Sequence, residues 1–93
     1  MRNHKVKDFQ RDVNKAIRKL NKELEPRFVV SQMDRAIAGN GIVWFLFKIV
    51  DRKQDSWTTC AEAFIVSPKP FNAVDVIVER IKGKIDFFVH MFD

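Results

Sequence analysis

The sequence predicts an α+β domain in which two helices accompany a small antiparallel sheet. Three observations support this class: apolar residues recur at helical spacing near the start, a β-rich middle section is divided by two polar turns, and a second helical pattern follows a proline-containing break. The 93 residues provide for one domain with one core, since domains usually hold about 50 to 200 residues.

The first predicted helix covers residues 6–24. Its apolar positions are spaced three or four residues apart, which places them on one face; they are Val6, Phe9, Val13, Ile17, Leu20 and Leu24. Pro26 ends the helix. The same projection places a row of basic residues on the opposite face, pointing away from the core. This row consists of His4, Lys7, Arg11, Lys15, Arg18 and Lys22.

The middle of the chain predicts three antiparallel strands, at residues 27–38, 42–52 and 57–66. These segments are rich in Val, Ile, Phe, Trp and Thr, and they are separated by Gly39-Asn40-Gly41 and by the polar residues 51–56. Polar residues interrupt the alternation of the first strand, which indicates a bulge or a sheet edge; they are Ser31, Gln32, Asp34 and Arg35.

A second helix is predicted after Pro68 and Pro70, with Asn72 as its cap and with an apolar stripe of Val74, Ile77, Val78 and Ile81. Two alternatives remain for its end. If Gly83 ends the helix, residues 85–92 form a fourth strand. If the helix continues, Ile85, Phe88 and Phe92 extend the stripe to the C-terminus. The β-rich composition of residues 85–92 favours the strand.

The second strand is apolar at both alternating sets of positions. One set, Val43, Phe45, Phe47 and Ile49, is expected to face the helices; the other set is Ile42, Trp44, Leu46 and Val50. Two short helices usually cover one face of such a sheet, so the second set predicts an interface with another copy of the chain. The alternatives are that the helices divide between the two faces, or that the C-terminal segment folds across the bare one.

The positive charge predicts an anionic partner. The net charge is +5, and the first 25 residues hold eight Lys or Arg and four Asp or Glu. We therefore expect the basic row on the first helix to contact nucleic acid through phosphates, with little base specificity. The alternatives are a solvated helix face, an acidic protein partner, or a protein-interaction module such as an inhibitor, adaptor or assembly component that acts through the apolar sheet face.

Two resemblances bear on this expectation. The element order is similar to that of double-stranded RNA-binding domains, in which the first helix and the start of the second contact successive grooves. Where that family has a lysine cluster, this chain offers Lys69 alone, so no residue is assigned from it. With a final strand, the order also resembles a nuclease superfamily with an Asp/Glu-x-Lys motif. Glu62-Ala63-Phe64, with Asp51 and Asp55 upstream, lacks the lysine.

No catalytic, metal or cofactor site is predicted. His4 and His90 have no second ligand at metal spacing, and Cys60 has no readable His partner. The aromatic residues of the segment 43–48 are assigned to core and interface contacts, and Trp57 is assigned to packing, rather than to base stacking. The lack of a catalytic motif predicts a non-enzymatic protein, and the lone cysteine predicts a cytoplasmic one. No membrane contact is expected, because no apolar run is long enough to span a bilayer and the first helix uses its apolar face for the core.

Overall fold

The computed structural model describes residues 2–37, 41–65 and 73–92, and for residues 2–6, 65 and 92 it describes the backbone alone. The elements in chain order are α1 (Arg2–Leu24), β1 (Phe28–Ile37), β2 (Ile42–Asp51), β3 (Ser56–Ile65) and α2 (Ala73–Phe92). The strands form one antiparallel sheet in the order β1-β2-β3. The predicted α+β class and the order α-β-β-β-α are confirmed. Gly39-Asn40, Lys69 and Asn72, which the sequence analysis singled out, lie outside the described residues.

Helix α1 packs on the sheet through the predicted apolar stripe. Phe9, Val13, Ile17 and Leu20 are all buried. The Phe9 ring meets the Phe45 ring of β2 edge-on, with centroids 5.6 Å apart and planes at 71°, a favoured geometry for aromatic pairs. The chain then turns into β1 through a cis Glu25–Pro26 peptide.

Strand β1 contains the predicted irregularity. Its pairing with β2 shifts register between Gln32 and Asp34, so Met33 has no residue opposite it. This is a β-bulge, and it lies in an edge strand as the polar interruption indicated. The end of the predicted strand at Ala38 lies outside the described residues.

Strand β2 is central and separates a buried face from an open one. Val43, Phe45, Phe47 and Ile49 are at most 1% exposed and lie under the helices, because α1 packs against β1, α2 packs against β3, and the two helices contact each other. Both helices therefore cover the same face of the sheet. The alternative in which they divide between the two faces is wrong.

Helix α2 corrects the favoured prediction for the C-terminus. Residues 85–92 are helical and not a fourth strand, and α2 continues through Gly83 to Phe92. Ile81, Ile85 and Phe88 are all buried along one helix face. A glycine inside a helix costs about 1 kcal/mol relative to alanine, whereas burying one large apolar side chain gains about 1.5–3 kcal/mol. Burial of Ile85 and Phe88 thus outweighs both the glycine and the β-rich composition.

Candidate functional site

A stripe of cations runs along the face of α1 that is turned away from the sheet. Its members are the exposed residues Lys7, Arg11, Lys15, Arg18 and Lys22, and we call them the cationic stripe. Fifteen residues of helix separate the first from the last, which corresponds to about 22 Å at 1.5 Å per residue. His4 lies in α1, but its side chain is outside the described part of the structure. The structure thus brings five of the six predicted residues onto one exposed line.

Most of the cationic stripe forms no ion pair with the described part of the chain. Arg11 Nη2 lies 3.0 Å from Asp8 Oδ1, and both side chains are largely in solvent, where such a pair contributes at most about 1 kcal/mol. Lys7, Lys15, Arg18 and Lys22 make no ion pair with any described residue. Their charge is therefore available to an external anion.

A second surface lies on the opposite side of the sheet. Residues directly opposite each other in an antiparallel pair point to the same face, so the register identifies this surface. We call it the open sheet face; its central residues are Asp34, Ala36, Ile42, Trp44, Leu46, Lys48, Val50, Trp57, Ala61 and Ala63. Both helices lie on the other face, so no described helix covers it.

The predicted interface residues lie together on the open sheet face. Trp44 is 52% exposed, and Ile42, Leu46 and Val50 of the same strand are half-buried. Beside Trp44 is a shallow hollow of about 200 Å³, lined by side chains from all three strands that include Asp34, Leu46 and Ala61. A protruding indole next to a hollow is a shape that another surface can match.

Trp57 differs from the sequence expectation. It was assigned to packing, but it is 59% exposed on the open sheet face, opposite Val50. Lys48 Nζ lies 4.9 Å from the centre of its ring, within cation–π range. The pairing register between β2 and β3 places Trp57 beside Lys48 on the open sheet face, and the spacing of residues within one strand does not predict this neighbour.

A further exposed apolar pair, on α2, was missed. Phe87 and Met91 are each 63% exposed, and they flank β3 next to Trp57 and Lys84. The sequence indicates this exposed pair only if residues 85–92 are taken to form a helix. On a helix, Phe87 and Met91 are one turn apart and away from the stripe that contains Ile85 and Phe88.

The acidic residues of the nuclease-like pattern do not assemble into a site. Arg27 Nε and Nη2 donate to Asp51 Oδ1 and Oδ2 at 3.0 and 2.9 Å, and the backbone N–H of Lys53 donates to Oδ1 at 3.0 Å. These hydrogen bonds, led by that from Arg27, lower the pKa of Asp51 although burial opposes them. Asp51 is fully buried, so it serves the fold as the partner of Arg27.

Glu62 is paired with a cation, and Cys60 is shielded by burial. Glu62 Oε2 lies 3.7 Å from Arg80 Nε of α2. Burial raises the pKa of the Cys60 thiol, with a smaller contribution from the charge of Glu62, so the reactive thiolate is disfavoured at neutral pH. Within residues 2–37, 41–65 and 73–92, no three His, Cys, Asp or Glu side chains are grouped so that they could hold a metal ion.

Neither helix, as far as the structure describes them, is long and apolar enough to cross a membrane. Comparisons of the chain with models of protein families, with curated proteins and with solved structures find no match.

Proposed function

We propose that this chain binds nucleic acid by placing α1 along the phosphate backbone, with little preference for base sequence. The observation that carries this proposal is the cationic stripe, in which four of the five side chains have no ion pair with a described residue. Lys and Arg are the residues that neutralise phosphates, and each neutralised phosphate releases counterions, which drives binding.

The cationic stripe meets enough phosphate for each of its cations. The two strands of duplex DNA together carry a phosphate about every 1.7 Å of helix axis, so a duplex segment as long as the ~22 Å stripe holds about thirteen phosphates. Five cations need fewer than half of them. Contacts to phosphate oxygens carry no sequence information, so binding of this kind discriminates weakly between sequences.

Charge reversal on α1 tests the proposal. The variant Lys15→Glu/Arg18→Glu removes two unpaired cations, and the variant Arg52→Glu/Lys84→Glu makes the same change in net charge at exposed positions outside α1. At 0.1 M salt, each lost phosphate contact costs about 8-fold in affinity. We expect the α1 variant to bind a fluorescent 20-base-pair duplex at least about 60-fold more weakly, and the control to bind within about 3-fold of the wild type.

The measurement is fluorescence anisotropy, with circular dichroism to show that each variant is folded. Duplex RNA and single strands of both kinds serve as further probes of the nucleic-acid type. Equal losses in the two variants would show that net charge matters and the position of the cations does not. Undiminished binding by the α1 variant would contradict the proposal directly.

We also propose that two copies of the chain associate through the open sheet face. The two largest side chains on this face, Trp44 and Trp57, are both more than half exposed, and exposed apolar surface of this kind typically marks an interface. Its central charged residues, Asp34 and Lys48, have opposite signs, so two chains of net charge +5 do not repel each other here. Trp44 and its neighbouring hollow supply a projection and a recess on one surface, as a two-fold contact requires.

The size of the open sheet face predicts a weak dimer. Three strands about 4.8 Å apart and ten residues long, at about 3.4 Å per residue, give a footprint of about 480 Å² per copy. A standard interface buries about 800 Å² per partner, and weak ones bury less than about 600 Å². We expect a dissociation constant in the micromolar range.

Sedimentation velocity from about 1 to 100 μM tests the dimer. The wild type should shift from monomer to dimer across this range, and Trp44→Glu should stay monomeric because a carboxylate would be buried without a partner. Ile37→Glu is the matched control, since Ile37 is a large apolar residue with the same 52% exposure as Trp44 but, as the partner of Val43, lies on the other side of the sheet. Dimerisation of Trp44→Glu, or a wild type that stays monomeric, would refute the open sheet face as the interface.

Cys60, the single cysteine of the chain, is buried and has a raised pKa. A free thiol of this kind is typical of proteins from reducing compartments. This supports the cytoplasm as the proposed location.

A further inference from the structure

The cationic stripe and the open sheet face lie on opposite sides of the molecule. The apolar stripe of α1 packs on the face of the sheet that contains Phe45 and Phe47, and its cations point away from that face. The open sheet face is the reverse side of the same three strands. A partner on one surface therefore leaves the other surface free.

Association through the open sheet face determines where the two cationic stripes lie. Two copies packed face to face form four layers, in the order helix, sheet, sheet, helix. Packed sheets are about 10 Å apart and a helix is about 10 Å thick, so the two α1 axes lie about 30 Å apart. The cations of the two copies point in opposite directions. This result holds for any rotation of one sheet on the other, because rotation about the axis between them leaves the layer order unchanged.

One short duplex cannot contact both stripes of such a dimer. To do so, it would have to bend around the protein from one outer surface to the other. DNA has a persistence length of about 150 base pairs, and bending a site of 20–30 base pairs by even 40–90° costs roughly 1–6 kcal/mol. A second duplex, in contrast, binds the second stripe with no bending.

We propose that the dimer bridges two separate nucleic-acid segments, one on each outer helix. This inference rests on the proposed phosphate binding by α1 and on the proposed association of two copies. It assigns the chain an activity that neither surface has alone: holding together strands that are distant in sequence or belong to different molecules. Bridging needs only phosphates, so it requires no particular sequence in either segment.

Energy transfer between two duplexes tests bridging. Equal amounts of a donor-labelled and an acceptor-labelled 20-base-pair DNA duplex are mixed with protein at concentrations above the dissociation constant of the dimer. We expect transfer to rise to a maximum near one dimer for two duplexes, and then to fall as excess protein occupies each duplex separately. This fall distinguishes bridging from general precipitation, which light scattering monitors in the same sample.

Three variants make the outcome decisive. Trp44→Glu should still bind one duplex, within about 3-fold per stripe by anisotropy, but give no transfer above that of duplexes alone. Lys15→Glu/Arg18→Glu should form the dimer and give no transfer, and Ile37→Glu should bridge like the wild type. A wild type that binds DNA and dimerises without transfer at any ratio would overturn bridging alone. Energy transfer by Trp44→Glu equal to that of the wild type would also overturn bridging through the open sheet face.

Failure of the phosphate-binding proposal and failure of the dimer proposal give different experimental results. If the wild type does not bind the duplex, the phosphate proposal is wrong and bridging falls with it. If the wild type binds the duplex but sediments as a monomer at 100 μM, the dimer proposal is wrong and bridging through it is excluded.

Discussion

The dependence of DNA binding on salt concentration can be worked out from the cationic stripe. For duplex DNA, the logarithm of the binding constant falls with the logarithm of salt concentration, with a slope of about −0.9 for each phosphate contacted. The stripe offers five cations, of which Arg11 is shared with Asp8. The expected slope is therefore about −4.5 with Arg11 engaged and about −3.6 without it. From 50 to 200 mM salt, affinity should fall about 150-fold to 500-fold.

Replacing one cation at a time by glutamine shows how many of the cations contact phosphate. Lys15→Gln and Lys22→Gln each remove one unpaired cation, so each should make the slope shallower by about 0.9. Arg52→Gln, at an exposed position outside α1, should leave the slope unchanged. Arg11→Gln should have a smaller effect, because Arg11 gives up its contact with Asp8 when it binds phosphate. The assay is anisotropy of a labelled 20-base-pair duplex at four salt concentrations between 50 and 200 mM.

Two results would refute this reasoning. A wild-type slope shallower than about −1 would mean that no more than one phosphate is neutralised. A steep slope that Lys15→Gln and Lys22→Gln leave unchanged would mean that the contacts are made elsewhere on the protein.

Further predictions concern stability, measured by thermal unfolding. Asp51→Ala removes the partner of half-buried Arg27 and should cost about 3 kcal/mol, a fall in Tm of roughly 12–24 °C; a loss equal to that of Arg52→Ala would contradict the buried pair. Folding lowers the pKa of Asp51 from 3.8. The stability that its ionised carboxylate contributes is therefore present above that pH and is lost as the pH falls through the lowered pKa. Asp51→Ala should lack this acid-induced loss of stability. Gly83→Ala should stabilise α2 by about 1 kcal/mol, since no atom lies within 4 Å of the added methyl group; an unchanged or lower Tm would contradict this.

Regular periodicity explains why most of the fold could be predicted from the sequence. The stripe from Phe9 to Leu20 and the alternation in β2 each repeat over many residues, and the predicted strand ends that fall on described residues agree with the observed ones to within one residue. Periodicity did not locate the end of α2. Local composition favoured a strand, whereas the outcome depended on whether Ile85 and Phe88 could reach the core. That contact is made with distant parts of the chain, and composition does not encode it.

The two surfaces differed in how far they could be predicted. The cationic stripe depends on helix geometry alone, so its position follows from spacing. The environment of Trp57 depends on strand register, and the exposure of Phe87 and Met91 depends on α2 continuing past Gly83. Asp51 stood out in the sequence only as an acidic residue upstream of the nuclease-like pattern. Its partner Arg27 is 24 residues away, and only the pairing of β1 with β2 brings them together.

The size of the elements explains why one face of the sheet is left open. Three strands span a width of about 14 Å, and two helices side by side are about 20 Å wide. Helix α1, with 23 residues, is about 34 Å long, which matches a strand of ten residues. The two helices together are therefore needed to cover one face, and they bury its centre, although Ile37 at the end of β1 on that face is 52% exposed. The apolar residues at alternate positions of β2, Trp44 and Leu46 among them, contribute little to the core that the helices complete. We propose that a second copy of the chain buries them, and because α1 carries the cationic stripe away from the sheet, the proposed dimer surface lies opposite the proposed phosphate-binding surface.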